Sequence, residues 1–485
     1  MSDPAALRAL FIVPPTGKFI REDRCQTPIK KLKTVALRPP IDMLYSAAAA
    51  RAGGAECRIV DFPAQGLGWA DLERLLLDWR PELLAMSITT PSFEDDMKAA
   101  ALCKRVLPEA RTAAKGAHFN ALDLEAMQRH PHLDMCMRGE YEETCMELAR
   151  RRPLEEIPGL TWRAGDGRIV RNPPRPLLQN LDDLPFPARD LIDNAPYFRP
   201  DTGELQTTVI TNRGCPFSCV FCLANQVSGN KNRARSVENI LAELEECVER
   251  HGIRNFLFRS DLFTANRKWV RDLCQGIRRR GLDIEWACNS RVDTLDEETL
   301  REMKSAGCWV IAFGVESGDQ AALDRMNKKA RAENVKPALD LCRKVGVKSS
   351  IYILMGFPWD SRESIEANMR FTRRIDPDYL EIFYVYPFPG TKLREMCIEA
   401  GTLKEGEIPR AAYDSPCMPT QSLSIEELAR MRARAMRDFY LRPAKIWRTL
   451  RSARNPRELF NYIKYGFIQL AALFGSNGEL ERAEE

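Results

Sequence analysis

The stretch Arg213-Gly214-Cys215-Pro216-Phe217-Ser218-Cys219-Val220-Phe221-Cys222 follows directly on the apolar run Thr208–Thr211. A β-type segment therefore runs straight into three cysteines on one loop. At these spacings three thiolates can converge on three irons of a [4Fe–4S] cube, for which cysteine is the usual protein ligand. The fourth iron is then open to a substrate or cofactor. A structural zinc site wants four closed ligands, and no further Cys or His stands close by; His251 comes well downstream. Cys215, Cys219 and Cys222 are the candidate metal ligands. The other twelve of the 15 cysteines are scattered singly and are expected to be small, reduced, buried hydrophobes.

Working outward, five further apolar runs follow the first: Phe256–Phe258, Ile284–Ala287, Val310–Val315, Ser350–Met355 and Leu380–Tyr386. Amphipathic helices separate them; Val237, Ile240, Leu241, Leu244 and Val248 keep the spacing of one buried face. Six βα units make an incomplete parallel barrel, active at the carboxyl ends of its strands. Upstream, Leu10–Val13, Cys57–Asp61, Leu83–Ile88, Arg111–Lys115 and Asp134–Met137 read as strands alternating with helices at 41–52, 72–79, 97–106 and 122–129. That alternation implies a second parallel, Rossmann-like sheet with helices on both faces. Between the two, prolines crowd an ordered connector with a small hairpin at Gly165–Gly167. The expected α/β organisation is 1–150, connector 151–200, partial barrel 201–400 and a helical region 401–485.

Lys+Arg 72 against Asp+Glu 68 leaves a net charge of +4, too little to argue for nucleic acid. No uncharged apolar run reaches the length of a membrane span. The N-terminus lacks the basic start and cleavage site of a signal peptide, so a cytoplasmic protein is expected. Pro14-Pro15-Thr16-Gly17-Lys18 lacks the earlier glycine and following Ser/Thr of a phosphate loop.

The cysteine motif after the first barrel strand resembles the radical S-adenosylmethionine superfamily. The surrounding sequence, from about Leu7 to Arg442, resembles its cobalamin-binding branch, near anaerobic magnesium-protoporphyrin ester cyclase and the lipid and hopanoid C-methylases. The resemblance implies a cluster whose free iron chelates S-adenosylmethionine, and reductive cleavage to methionine and a 5′-deoxyadenosyl radical. It also implies an electron donor of flavodoxin or ferredoxin type. By the same resemblance Phe221 rests near adenine. Arg259-Ser260-Asp261 offers backbone groups to the methionine amino group, in place of the usual Gly-Gly-Glu. Asn289 and Arg291 point to the same mouth, Glu316 accepts from ribose hydroxyls, Lys328 pairs with the methionine carboxylate, and Gly356 lets backbone approach adenine.

Lys115-Gly116-Ala117-His118-Phe119-Asn120 and Met137-Arg138-Gly139-Glu140-Tyr141-Glu142-Glu143-Thr144 resemble the cobalamin-binding half, with Lys115 where relatives carry a glycine. Gly17, Ser87, Thr89, Gly116 and Gly139 are the expected wall around cobalamin; His118 is expected near its nucleotide tail or bonded to a backbone carbonyl, with a cobalt ligand as the less favoured reading. The Asp-x-His-x-x-Gly signature of a cobalt-ligating histidine is absent, so the cobalt is expected base-off. Arg21–Gln26 is expected to be part of a long loop approaching the cobalt or the substrate.

Between Arg432 and Lys464 ten basic residues face two acids, interleaved with aromatics such as Trp447, Phe460 and Phe467. A basic face beside an aromatic one suits an interfacial helix on anionic lipid; the plain alternative is a helical cap on the barrel. The leading expectation is a cobalamin-dependent radical methyltransferase acting on an unactivated carbon of a small, hydrophobic substrate. The alternative is a cyclase using the same cofactors without methyl transfer.

Overall fold

The computed structural model describes residues 6–22, 25–28, 37–410 and 415–475. The first sheet contains β1 (Arg8–Val13), and after it come β2 (Phe19–Glu22) and β3 (Cys25–Pro28), an antiparallel ribbon of their own. Next along the chain are β4 (Glu56–Asp61), β5 (Leu83–Ser87), β6 (Arg111–Lys115), β7 (Met135–Met137), β8 (Leu160–Arg163) and β9 (Ile169–Arg171). These six with β1 take the order β4-β1-β5-β6-β7-β8-β9, parallel as far as β7. The connector hairpin β8–β9 adds antiparallel to that edge. Side chains alternate across a strand, so Ala9 and Phe11 enter one core and Leu10 and Ile12 the other. The central strands β1 and β5 are buried on both faces and read as apolar runs, while the edge strand β4 alternates, with Glu56 and Arg58 exposed.

The second sheet starts with β10 (Gln206–Arg213), flanked by the short antiparallel β11 (Arg233–Ala234). It continues through β12 (Asn255–Ser260), β13 (Glu285–Ser290), β14 (Cys308–Glu316), β15 (Lys348–Met355) and β16 (Tyr379–Tyr384), all parallel in sequential order. This is the open six-stranded barrel. Its outer core packs Val209, Phe258, Trp286, Ile311, Phe313, Ile351 and Ile382 against the surrounding helices. The helix 425–440 runs along β16: Tyr384 Oη donates to Leu428 O near the mouth, and Tyr440 Oη donates to Leu380 O at the other end. It closes the flank that the missing strands leave open.

Two helices, Pro443–Arg451 and Pro456–Gly475, cover the floor of the barrel, where the strands begin. Arg454 pairs with Glu285, the first residue of β13, and Lys348, the first of β15, lies 3.4 Å from Tyr462 Oη. Arg442 and Arg448 both pair with Asp376, just before β16, at 2.8 Å. The basic tail thus lies at the opposite end from the three-cysteine loop. It says nothing about the substrate, and the expectation of a hydrophobic one loses that support.

Candidate active site between the two sheets

The cysteine loop is held from several sides. Gly214 sits at φ +91, and a Cβ there would lie 2.1 Å from Lys231 O, so only glycine lets the chain turn. Its N–H donates to Asp261 and its carbonyl accepts from Asn232 Nδ2 at 3.0 Å. Farther along, Asn327 Nδ2 donates to Ser218 O at 2.8 Å, and Val220 is hydrogen-bonded through its backbone to Met326 and Leu393. Cys215, Cys219 and Cys222 are half-buried, whereas ten of the singly placed cysteines are buried. Cys417 departs from the expectation for those twelve by being half-buried as well, and the side chain of Cys25 lies outside the described residues. Burial pushes the Cys219 thiol up to about 11 against the opposing pull of Lys328; negative charge on Cys222, Glu316 and Cys215 adds to the rise. The three sulfurs therefore share one electrostatic neighbourhood with Glu316 and Lys328.

That pair stands at the end of β14. Lys328 Nζ meets Glu316 Oε1 at 2.7 Å, both side chains no more than 10% exposed. Burial disfavours the Lys328 charge, but Glu316 and Cys219 outweigh it and hold the ammonium above the usual lysine range. Among the described residues six non-glycines have positive φ, and Glu316, Asn327 and Lys329 are three of them. Backbone strain of this kind, about 1–3 kcal/mol per residue, gathers at functional sites. At Gly314 the constraint is steric instead: a Cβ there would come within 2.6 Å of Glu316 Oε1 and 3.0 Å of Lys328 Nζ.

Arg291 is buried and donates to the carbonyls of Lys328 and Lys329 at 2.8 and 2.6 Å while pairing with Asp293. Its guanidinium lies 3.9 Å from the Phe217 ring centroid. It is a strut under the cysteine loop and the Lys328 turn, with most of its donors spent on protein. Phe221 meets Phe357 edge-on at 6.1 Å, so the aromatic of the cysteine motif and the turn after β15 come together as expected. Gly356 has φ +89 and, with Phe357, donates its N–H to buried Asp360, which sequence reasoning missed. Burial pushes the Asp360 carboxyl up to about 6, and the two N–H groups pull the other way. Ser260 is buried beside Asp261 at the end of β12, while Asn289 is exposed at the end of β13.

A polar cleft lies between the mouth and the carboxyl edge of the first sheet. Asp42, Gly139, Glu142, Arg213, Arg259 and Ser260 are among its lining residues. Asp42 Oδ1 pairs with Arg259 at 3.0 Å and Oδ2 with Lys115 at 3.4 Å. Burial opposes ionisation, but the Arg259, Lys115 and Arg213 charges prevail and hold Asp42 at about 2. Lys115, which replaces the relatives' glycine, thereby supplies a buried cation to the interdomain seam. Glu140 and Glu142 clamp the foot of the cysteine loop: Arg233 meets Glu140 at 2.7 Å, and Arg213 meets Glu142 at 2.5 Å.

Several first-sheet residues turn out differently from the sequence reading. Arg21–Gln26 forms the β2–β3 ribbon rather than a loop, with Asp23 and Arg24 outside the described residues. The ribbon seals Ser87 and Thr89, each 1% exposed. Arg21 donates to Ser87 O at 2.9 Å and pairs with Asp96, while Thr89 Oγ1 shares a 2.5 Å hydrogen bond with Ser92. Both are buried beneath the ribbon, and neither is among the residues that line the cleft. Gly116 is required by chain packing: its Cβ would stand 2.3 Å from Ile88 O. Gly17 has φ +109 in the loop after β1. Gly139, with positive φ and nothing within 4 Å of a Cβ, does border open space.

His118 stacks on Phe93 at 4.3 Å, and burial pushes its imidazole down to about 3, so it is neutral. Its Nδ1 has no hydrogen-bond partner among the described residues, and His118 is absent from the cavity lining.

The donor set fits the implied groups. Three half-buried thiols beside a lysine suit an anionic cluster at separate corners. Among the described residues no three His, Cys, Asp or Glu side chains converge tightly enough for a single metal ion. At the cleft, Gly139 leaves the backbone open to the approach of a large ligand such as cobalamin, and the polar lining offers partners to its amides.

Comparisons with known proteins point the same way. The Radical SAM superfamily model matches residues 209–372, and the B12 binding domain model matches 33–149. The chain is 30% identical to an uncharacterized methyltransferase of Pyrococcus horikoshii over 90% of its own length and 93% of that protein. It is 24% identical to the anaerobic magnesium-protoporphyrin IX monomethyl ester cyclase of Rubrivivax gelatinosus, over 73% of this chain and 65% of that one. In fold it is similar to the radical S-adenosylmethionine methyltransferase TsrM from Kitasatospora setae (TM-score 0.68, 16% identity, 96% of this chain and 99% of that).

Proposed function

Because the chain belongs to the radical S-adenosylmethionine superfamily and carries a B12-binding domain, we propose that it is a C-methyltransferase acting on an unactivated carbon of a small-molecule substrate. The observation that carries this reading is the meeting of the three half-buried thiols, the Glu316–Lys328 pair and the first sheet's edge around one mouth. When bound, the cluster, S-adenosylmethionine and cobalamin supply one-electron cleavage of a sulfonium and a methyl group carried on cobalt.

The chain's own residues bind, orient and exclude. Cys215, Cys219 and Cys222 would hold the cluster, and Lys328 and Glu316 would receive the carboxylate and ribose of S-adenosylmethionine. Phe221 and the Gly356–Phe357 turn border the adenine, and backbone groups at Ser260 and Asp261 meet the amino group. Arg291 and Asp360 are positioning residues behind these contacts. Gly139 and the charged seam of Asp42, Lys115 and Arg259 would border the corrin, and His118, outside the cleft lining, would not reach it.

Segment 1–150 is thus the cobalamin unit, 151–200 the connector, 201–400 the radical unit and 401–485 the cap. The electron comes from a flavodoxin- or ferredoxin-type donor, and the protein works in the cytoplasm, with its basic tail offering peripheral contact to the inner face of a membrane. Relatedness to a cyclase supports a second reading, ring closure without methyl transfer. Product counting separates the two: methyl transfer yields S-adenosylhomocysteine together with 5′-deoxyadenosine, whereas cyclisation yields no S-adenosylhomocysteine. His118→Ala leaves the spectrum of bound cobalamin unchanged if the imidazole is off the metal.

A further inference from the structure

Ten large apolar side chains stand exposed among the described residues, and six of them, Ile446, Trp447, Leu459, Phe460, Ile463 and Phe467, lie on the two floor helices. Trp447, Phe460 and Phe467 are 66%, 63% and 68% exposed. On the second helix Phe460, Ile463 and Phe467 recur at helical spacing and form one stripe. The only acid in either helix is Glu458, which is buried and turned back to Arg454. Arg451, Arg457 and Lys464 are exposed, and no ion pair engages them among the described residues. The outer face is therefore aromatic and cationic with no compensating carboxylate.

Two copies meeting through this face would bring like charges together, which is costly without acids to separate them. An anionic bilayer supplies what the face lacks: counter-charge for the Arg and Lys heads and an apolar layer for the rings. We infer that the helices 443–451 and 456–475 form a docking face for an anionic phospholipid surface. It deepens the peripheral-membrane reading above and is independent of methyl transfer. Neither helix crosses the bilayer: no described helix is long and apolar enough to do so. Because this face is the barrel floor, docking turns the mouth away from the membrane and leaves the interdomain cavity open to the aqueous side.

The test is sedimentation of the reconstituted full-length protein with vesicles of phosphatidylcholine alone or with one third phosphatidylglycerol. Each exposed Lys or Arg near an anionic surface adds a several-fold gain, so binding to the anionic vesicles is expected to be on the order of a hundredfold tighter and to weaken with salt. Trp447→Ser/Phe460→Ser/Phe467→Ser lowers binding at least about tenfold on both vesicle types. Arg451→Gln/Arg457→Gln/Lys464→Gln removes the preference for anionic lipid. Both variants keep their iron content and their 5′-deoxyadenosine formation, which shows that they are folded and that loss of docking is separate from loss of chemistry. Equal binding of the native protein to both vesicle types, or none to either, overturns the inference. So does a dimer in size-exclusion light scattering that the serine variant dissociates without any vesicle binding.

Discussion

At the mouth of the barrel the Lys328 and Glu316 side chains are 10% and 8% exposed, whereas at the floor those of Arg454 and Glu285 are 56% and 30% exposed. Lys328 and Glu316 are paired one to one in a buried, strained setting. The floor shares its charges, as Arg442 and Arg448 share Asp376. Removing one member of a buried pair strands a charge in low dielectric, while removing one member of an exposed pair returns the other to water. Placing chemistry at the carboxyl ends of the strands and stability at the other end is general for barrels. Here the difference is visible in the electrostatics.

Glycine substitutions should break the contrast hardest. Gly214→Ala meets both a positive φ and Lys231 O at 2.1 Å, so the cysteine loop cannot close. Iron after anaerobic reconstitution should fall from about four per chain towards none. At Gly252, which ends the helix 237–251 with φ +65 and open space around it, the same change should cost only about 1 kcal/mol and leave the iron in place. Denaturant midpoints make the charge comparison. Lys328→Met should destabilise by about 3 kcal/mol, and Arg454→Ala by less than about 1 kcal/mol. Gly314→Ala has no φ penalty but intrudes on the Glu316–Lys328 pair. Stability should change little, and KM for S-adenosylmethionine should rise roughly tenfold to a hundredfold.

The smallest effects are in pH dependence, and they have opposite signs. Asp42 is held below its ordinary 3.8, so the unfolded chain binds more protons and the stability it lends is complete above pH 4 and lost towards pH 2. Asp360 is raised to about 6, so the folded chain binds more protons and stability declines as pH rises from about 4 to 6. Each contributes on the order of 2 kcal/mol. Asp42→Asn should flatten the acid limb and Asp360→Asn the limb between 4 and 6, in unfolding curves of the cluster-free protein.

What could be read from the sequence was what is local along the chain. Cys215, Cys219 and Cys222 share one loop, Lys328 follows Glu316 by twelve residues, and both sheets announce themselves as repeated apolar runs. What stayed hidden was the seam. Arg259 reaches Asp42 across 217 positions, and Arg213 reaches Glu142 across 71. No spacing rule connects such partners, so Glu140 and Glu142 could be read only as part of a motif and not as clamps. The β2–β3 ribbon escaped because strands of four residues are too short to show alternation, and Ser87 and Thr89, chosen as small residues at strand ends, lie beneath it. Gly116 shows a similar limit: its necessity comes from Ile88 O on the neighbouring chain segment. The floor helices were legible as basic and aromatic, but not as lying at the far end from the chemistry.

The central claim is that three cysteines hold a cluster whose remaining corner grips S-adenosylmethionine. Anaerobic reconstitution followed by iron analysis and a dithionite assay for 5′-deoxyadenosine, on the native chain and on Cys219→Ala, tests it directly. The account predicts about four irons in a single cluster and 5′-deoxyadenosine for the native chain, with both lost in the variant. Native protein that takes up no iron, or a variant that keeps both the chromophore and the product, would contradict it.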